Sequence, residues 1–186
     1  PKSQHYDTLK ELFRPGHADY TFFAKYGIRD YRGGGRSSGR ETVSRVAAGA
    51  IARQLLAEVG VRIRGHVVRI GEVSAPSYGA RAAQLDGPAL DEAQIEATPT
   101  RCADAEAAQR MEQAVLAARK QGDSLGGVVE VIAEGVPAGW GDPVFAKLDA
   151  RLAAAMVSIG AVKGVELGAG FALTPRPGSQ SNDALL

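Results

Sequence analysis

Cysteine, tryptophan, methionine and histidine are scarce in this chain: one, one, two and three among 186 residues. A lone Cys102 excludes an internal disulfide framework and suits a reducing compartment. Cys102 and the histidines His5, His17 and His66 show no metal-ligand spacing, so no metal centre is expected. No run approaches the roughly 18 apolar residues that span a bilayer, and Pro1–His5 carry no signal-peptide pattern. Charge of neither sign dominates. Lys and Arg number 22 against 21 Asp and Glu, a formal +1. A dedicated nucleic-acid binder should show its positive field in that sum. These absences favour a cytoplasmic protein without membrane or nucleic-acid partners.

What is present is apolar bulk and glycine. Hydrophobic residues make up 45% of the chain, and its length fits one domain, residues 1–186. Glycine, at 23 of 186, exceeds the usual share of about 7%. Many positions are therefore expected to need positive φ or close backbone approach. Residues 1–39 read as loop or short strand. Residues 40–59 read as a helix with an apolar face of Val43, Val46, Ala47, Ala50, Ile51 and Leu55. Residues 61–70 alternate as a strand with Arg62 and Arg64 outward. Turn signals stand at Pro76, Gly79 and Gly87–Pro88. A second helix spans 104–121, with Ala107, Met111, Ala114, Val115 and Ala118 as its buried stripe. Residues 128–133 form a β-branched strand, and Pro143 opens a third helix over roughly 143–158. Val165–Leu167 reads as a short strand and 175–183 as loop. Met111, Phe145, Leu148, Leu152 and Met156 are expected in the core, and Cys102 as a small buried residue. The pattern is a mixed α and β domain. Its ends suggest a piece of a longer chain.

Chemistry concentrates in two runs, Arg14-Pro-Gly-His-Ala-Asp-Tyr20 and Lys25 to Thr42. Arg29, Arg32, Arg36 and Arg40 fall within twelve residues, opposed only by Asp30. Guanidinium forks suit phosphate and carboxylate. Gly33-Gly34-Gly35 lets the backbone bend and offer its own N–H groups. The stretch leads into a helix N-terminus, which also favours anions. Together these make an anion cradle, though neither the dinucleotide fingerprint nor the lysine-bearing phosphate loop. His17, in reach of arginines, could serve as a proton donor once an anion arrives. Plainer readings compete. Ser38 and Glu41 fit a capping box, a glycine triplet is often a flexible loop, and clustered arginines usually form a solvated face. Asp123-Ser-Leu-Gly-Gly127 reads first as a turn after a helix. His5 and His66 read as structural or exposed.

These two runs, with Arg45 to Ala52, Asp123–Gly127, Pro137–Phe145, Ser158 to Glu166 and Gly170–Phe171, resemble the chorismate synthase family along almost the whole chain. The likeness is weakest over 71–100. The resemblance implies an α+β fold, a layered β-α-β sandwich with central helices packed against antiparallel sheet. It implies a carbon–oxygen lyase that removes phosphate and a proton from 5-enolpyruvylshikimate 3-phosphate in a 1,4-anti elimination, in the shikimate pathway of aromatic amino-acid biosynthesis. Reduced FMN is the implied cofactor, with NADPH only in bifunctional members, and a homotetramer the implied assembly. His17 matches the family histidine that protonates the leaving phosphate. Arg36, Ser37 and Ser38 match its flavin-contacting run, and Ser38 and Arg40 lie near substrate. The family's first histidine, its N-terminal arginines, its Asn-rich flavin region and its C-terminal Arg-Asp pair have no counterpart here. The likeness therefore covers about the middle half of a typical member, and this portion alone is expected to lack activity. Gly39 stands where many members have Ala, and Trp140 where many have Leu. Two other readings stay open: a non-catalytic phosphate- or nucleotide-binding module, and a fragment whose arginines meet a neighbouring subunit's acidic surface.

Overall fold

The computed structural model describes Tyr6, Asp7 and residues 9–35, 39–78 and 90–182. Three of the expected site residues, Arg36, Ser37 and Ser38, lie outside the described residues. So do His5 and the turn signals at Gly79 and Gly87–Pro88. The chain divides into two compact units, residues 1–52 with 150–165, and residues 53–149 with 166–186.

The element order is α1 (Asp19–Tyr26), a 3₁₀ turn (Gly39–Glu41), α2 (Thr42–Glu58), β1 (Arg62–Ile70), β2 (Val73–Ser74), α3 (Glu92–Glu96), α4 (Ala105–Lys120), β3 (Gly127–Glu134) and α5 (Leu148–Val157). Short 3₁₀ turns follow at Gly170–Leu173 and Gly178–Gln180. The α+β class holds, with a three-stranded antiparallel sheet in the order β2-β1-β3.

In the second unit β1 pairs along its length with β3, from Arg62 opposite Glu134 to Ile70 opposite Gly127, with a bulge between Val67 and Arg69. A two-residue turn leads from β1 to β2. Its first residue, Gly71, has φ 55°, which matches a II′ hairpin. The small core sits where α4 meets this sheet: Cys102, Ala107, Ala108 and Met111 are buried against Val67, Ile70, Val73 and Ala75. The Asp104 carboxylate caps α4 by accepting from the Ala107 N–H at 2.8 Å. Strand alternation turns Arg64 and His66 to the other face. There Arg64 Nη1 donates to Glu134 at 2.7 Å, and buried His66 pairs with Glu130 at 2.9 Å. The Tyr78 backbone N–H reaches Glu130 and its hydroxyl reaches Glu134. His66 is thus structural, Arg64 is half-buried and paired, and Arg62 is exposed.

In the first unit, α1 replaces the expected loop. Asp19 opens it and Gly27, at φ 71°, ends it by donating to the Phe23 carbonyl at 2.8 Å. Eight residues are too few for periodicity to declare a helix. What holds α1 is an aromatic cluster, with Phe13 5.5 Å from Tyr20 and 5.6 Å from Phe23 between ring centroids. On α2, Arg45 pairs with Glu41 and donates to the Ser158 Oγ at 2.8 Å.

Several expectations are corrected. The third helix starts at Leu148, because Asp142 and Ala146 exchange backbone hydrogen bonds at 3.2 and 3.0 Å and hold 142–146 as a turn. Val165–Leu167 pairs with no strand among the described residues and is irregular. The apolar face of α2 is solvent-facing, with Val43, Val46, Ile51 and Leu55 between 64 and 72% exposed. Phe145 is 96% exposed, and Leu148 and Leu152 are exposed as well. Periodicity reports which face a helix would bury, and burial needs a partner element. On α4 the stripe is real but shifted: Ala107, Ala108 and Met111 are buried and Val115 is exposed. Truncating Met111 to Ala should therefore lower unfolding free energy by about 2–5 kcal/mol. Val115→Ala, on the same helix, should cost under about 1 kcal/mol. Urea midpoints at unchanged m-value are the measurement.

Candidate functional site

The Arg14–Tyr20 run folds as a turn leading into a helix. Pro15 and Gly16 occupy the two central positions, Gly16 at φ 71°, and the His17 N–H donates to the Arg14 carbonyl at 3.3 Å. Proline followed by a positive-φ glycine is the type II turn pattern. The turn's ends are tied by Asp19, which is buried. Asp19 Oδ2 accepts from the Arg14 backbone N–H at 3.2 Å and from Arg14 Nε at 2.8 Å, while Oδ1 accepts from Arg14 Nη2 at 2.8 Å. Arg29 Nη1 adds a fourth donor to Oδ2 at 3.0 Å. The Arg14 guanidinium, hydrogen-bonded to it, holds the Asp19 carboxyl well below the usual carboxylate range, against the opposing effect of desolvation. Asp19 in turn raises the Arg14 pKa by the same contact.

Arg29, expected in the anion cradle, is engaged elsewhere. Its Nη2 donates to the carbonyls of Leu9, Lys10 and Leu12 at 3.0, 2.8 and 2.6 Å. Its guanidinium lies 4.8 Å from the Phe13 ring centroid. It staples the segment before the turn and is lost to ligands. The residue types carried a signal for this: one acid two residues after His17, between two arginines, is the natural partner for both.

The glycine triplet is organised by Asp30. Its carboxylate accepts from the Arg32 N–H at 2.9 Å, an Asx-type turn, and its carbonyl accepts from the Gly34 N–H at 2.9 Å. Gly33, Gly34 and Gly35 have φ of 99°, 83° and 52°, so the run is a defined bend that side-chain-bearing residues would strain. A Cβ on Gly33 would fall 2.8 Å from Arg40 Nη2 and 3.4 Å from the Tyr6 hydroxyl. Arg40 Nη2 donates to the Arg32 carbonyl at 3.1 Å, closing the bend onto the start of the helical segment. Arg32 lies over Tyr31 at 5.3 Å, with Nε on its hydroxyl at 3.2 Å. Both Arg32 and Arg40 are exposed. Glu41 is paired with Arg45, and the capping-box alternative through Ser38 lies outside the described residues.

His17 is exposed, and its Nδ1 lies 3.0 Å from the Pro15 carbonyl. A carbonyl only accepts, so Nδ1 carries the hydrogen and Nε2 is the ring nitrogen left for proton exchange with a ligand. Of the expected site, the structure thus describes His17 and Arg40. The turn after α4 falls at Gln121–Gly122, and the Asp123–Gly127 run, read as that turn, is an irregular lead into β3, which begins at Gly127, with the Asp123 carboxylate accepting from the Ser124 N–H at 2.8 Å. Cys102 is fully buried. No cluster of metal-ligating side chains and no helix long and apolar enough to cross a membrane occurs among the described residues.

Because the unfolded Asp19 titrates near 3.8 and the folded one lower, its contribution to stability is complete above that pH. It is lost as pH falls below it towards the folded value. Asp19→Asn should cost about 2 kcal/mol near neutrality, and the gap to the parent protein should narrow as pH drops below 3.8. Denaturant midpoints at a series of pH values check this, and a gap that widens in acid would contradict it.

A family model described as chorismate synthase matches residues 1–186. Curated relatives named chorismate synthase include those of Methanosarcina mazei (54% identity over 185 residues), Chloroflexus aggregans (53%) and Porphyromonas gingivalis (49%). Each alignment covers 100% of this chain and 48% of the relative. The chain therefore spans about half the length of the curated relatives it matches. A solved structure described as the crystal structure of chorismate synthase superposes with a TM-score of 0.79 at 36% identity, covering 90% of this chain and 51% of that one.

Proposed function

This chain belongs to the chorismate synthase family, and from that premise we propose that it forms an internal portion of an enzyme eliminating phosphate from 5-enolpyruvylshikimate 3-phosphate to give chorismate. In this 1,4-anti elimination the C–O bond to phosphate breaks, a ring C–H across the diene-to-be loses its proton, and a second ring double bond forms. No net oxidation or reduction occurs. The observation that carries the reading is the family match along all 186 residues.

The roles follow from the donor chemistry. Departing phosphate gains negative charge, and pre-placed guanidinium and N–H donors stabilise it more than they stabilise the ester. Arg40, with Ser38, is proposed to hold substrate. The imidazolium form of His17 is proposed to deliver its Nε2 proton to the leaving phosphate and return to the Nδ1–H ring, with Nδ1 kept on the Pro15 carbonyl at 3.0 Å. Arg36, Ser37 and Ser38 are proposed to hold the flavin. The exposed guanidiniums of Arg32 and Arg40 and the Tyr6 hydroxyl, close to Gly33, suit the anionic group such a cofactor carries. Bound reduced FMN supplies transient electron donation that is recovered within the turnover. NADPH is proposed only for a bifunctional whole protein. A single domain over 1–186, a homotetrameric assembly and a cytoplasmic site of action complete the proposal.

The test uses the complete gene product with FMN and substrate under reducing conditions, chorismate being followed by its absorbance. His17→Ala should lower kcat by about 10²–10⁴-fold while FMN still binds. Full activity in that variant would remove His17 from the mechanism. Tight phosphate binding with no flavin-dependent turnover would instead favour a non-catalytic anion-binding module.

A further inference from the structure

We propose that Asp19 is a positioning residue for His17, acting through Arg14 and the Pro15–Gly16 turn; this rests on reading His17 as the proton donor to the departing phosphate. An acid in the first turn of a helix is ordinarily there for the helix itself, capping its N–H groups or meeting its dipole. The hydrogen bonds that Asp19 accepts go elsewhere. No side-chain capping bond is made at the start of α1. All four donors on its carboxylate come from residues flanking the histidine: three from Arg14 and one from Arg29. With both oxygens so occupied in a buried setting, Asp19 is unsuited to exchanging a proton or meeting a ligand itself. Its effect is geometric.

The path is short. Asp19 fixes both the main chain and the side chain of Arg14, five residues back. Arg14 is the first residue of the turn, whose closing bond runs from the His17 N–H to the Arg14 carbonyl at 3.3 Å. That turn sets the direction of the Pro15 carbonyl, and the carbonyl holds His17 Nδ1 at 3.0 Å. Hence the carboxylate decides which imidazole nitrogen bears the hydrogen and which is presented outward, although it touches neither. Arg29 anchors the same carboxylate to the carbonyls of Leu9, Lys10 and Leu12. The clamp is therefore braced from both sides of the turn. An exposed histidine on a loop has many rotamers, and a proton donor needs one. A misplacement of about 1 Å in such a group costs on the order of 10²-fold in rate.

In the complete enzyme, Asp19→Asn should lower kcat by about 30–100-fold with KM and FMN affinity nearly unchanged. Arg14→Lys, which keeps the charge but loses the fork, should act in the same direction. A stability loss alone would not give this split. In a His17→Ala background, Asp19→Asn should cost no further kcat, since there is no ring left to aim. An equal loss with His17 absent would overturn the proposal. Nitrogen-15 spectra of labelled histidine provide a readout independent of turnover. The parent protein should show the Nδ1–H tautomer at His17 and Asp19→Asn a mixture of the two. An unchanged Nδ1–H tautomer in Asp19→Asn would overturn the positioning role whatever His17 does in catalysis. Full activity of His17→Ala would instead overturn the acid assignment, leaving the tautomer spectra to decide positioning.

Discussion

One carboxylate with two guanidinium partners organises the chemistry-bearing half of the first unit. A buried charge is costly unless it is paired and its remaining hydrogen-bonding capacity met. Asp19 meets that condition with four donors between 2.8 and 3.2 Å. The arrangement removes Arg14 and Arg29 from the pool of cations open to a ligand, and it closes the turn that bears His17. It also joins segments distant in sequence, because the second guanidinium reaches back to carbonyls some twenty residues earlier. Without Asp19 the two arginines would repel each other, and three carbonyls would lose the donor that holds them.

The neighbouring glycine bend follows a second carboxylate, Asp30, which works differently. It is exposed and acts on backbone N–H groups: its side chain meets Arg32 and its carbonyl meets Gly34. Three successive positive-φ glycines would be costly to order by themselves, since glycine loses the most conformational freedom on folding. Local bonds from Asp30 and the closing contact from Arg40 offset that loss. The bend leaves no room for a Cβ beside Asp30 at Gly35 or beside Arg40 at Gly33. Glycine is required there by close approach as much as by dihedral angle.

Long periodic segments were legible before any coordinates. α2, α4, β1 and β3 appear within one or two residues of their expected limits, since both periods repeat often enough to be distinguished. α1 was not legible, because eight residues stabilised by an aromatic cluster and an N-terminal acid look like loop to a pattern argument. Val165–Leu167 shows the converse: β-prone residues that find no partner strand stay irregular, as strand propensity measures fit to a neighbour. The α2 stripe was correctly identified as apolar, and its side chains stay exposed in this chain. At the site, the residue types announced an anion cradle, and the division of labour within it stayed hidden. Arg29 and Arg40 look alike in sequence. Only geometry shows that one is spent on carbonyls and Asp19 while the other closes the glycine bend. Ser38 and its capping-box alternative fall outside the described residues.

That division also bears on how a chain of formal charge +1 would hold the proposed anion. Whole-chain charge governs attraction of extended polyanions over a Debye length or more, about 8–10 Å at ordinary ionic strength. A small phosphate responds to donors within hydrogen-bonding distance. Among the described residues within 14–40 the acids are Asp19 and Asp30, against Arg14, Lys25, Arg29, Arg32 and Arg40. Asp19 is shared by two arginines and the Asp30 carboxylate accepts from a backbone N–H, while Arg32 and Arg40 stand exposed at the bend. Neutrality elsewhere keeps long-range attraction weak. On the proposed reading, such a site would discriminate by contact geometry, which a compact phosphorylated substrate can satisfy without a continuous basic surface.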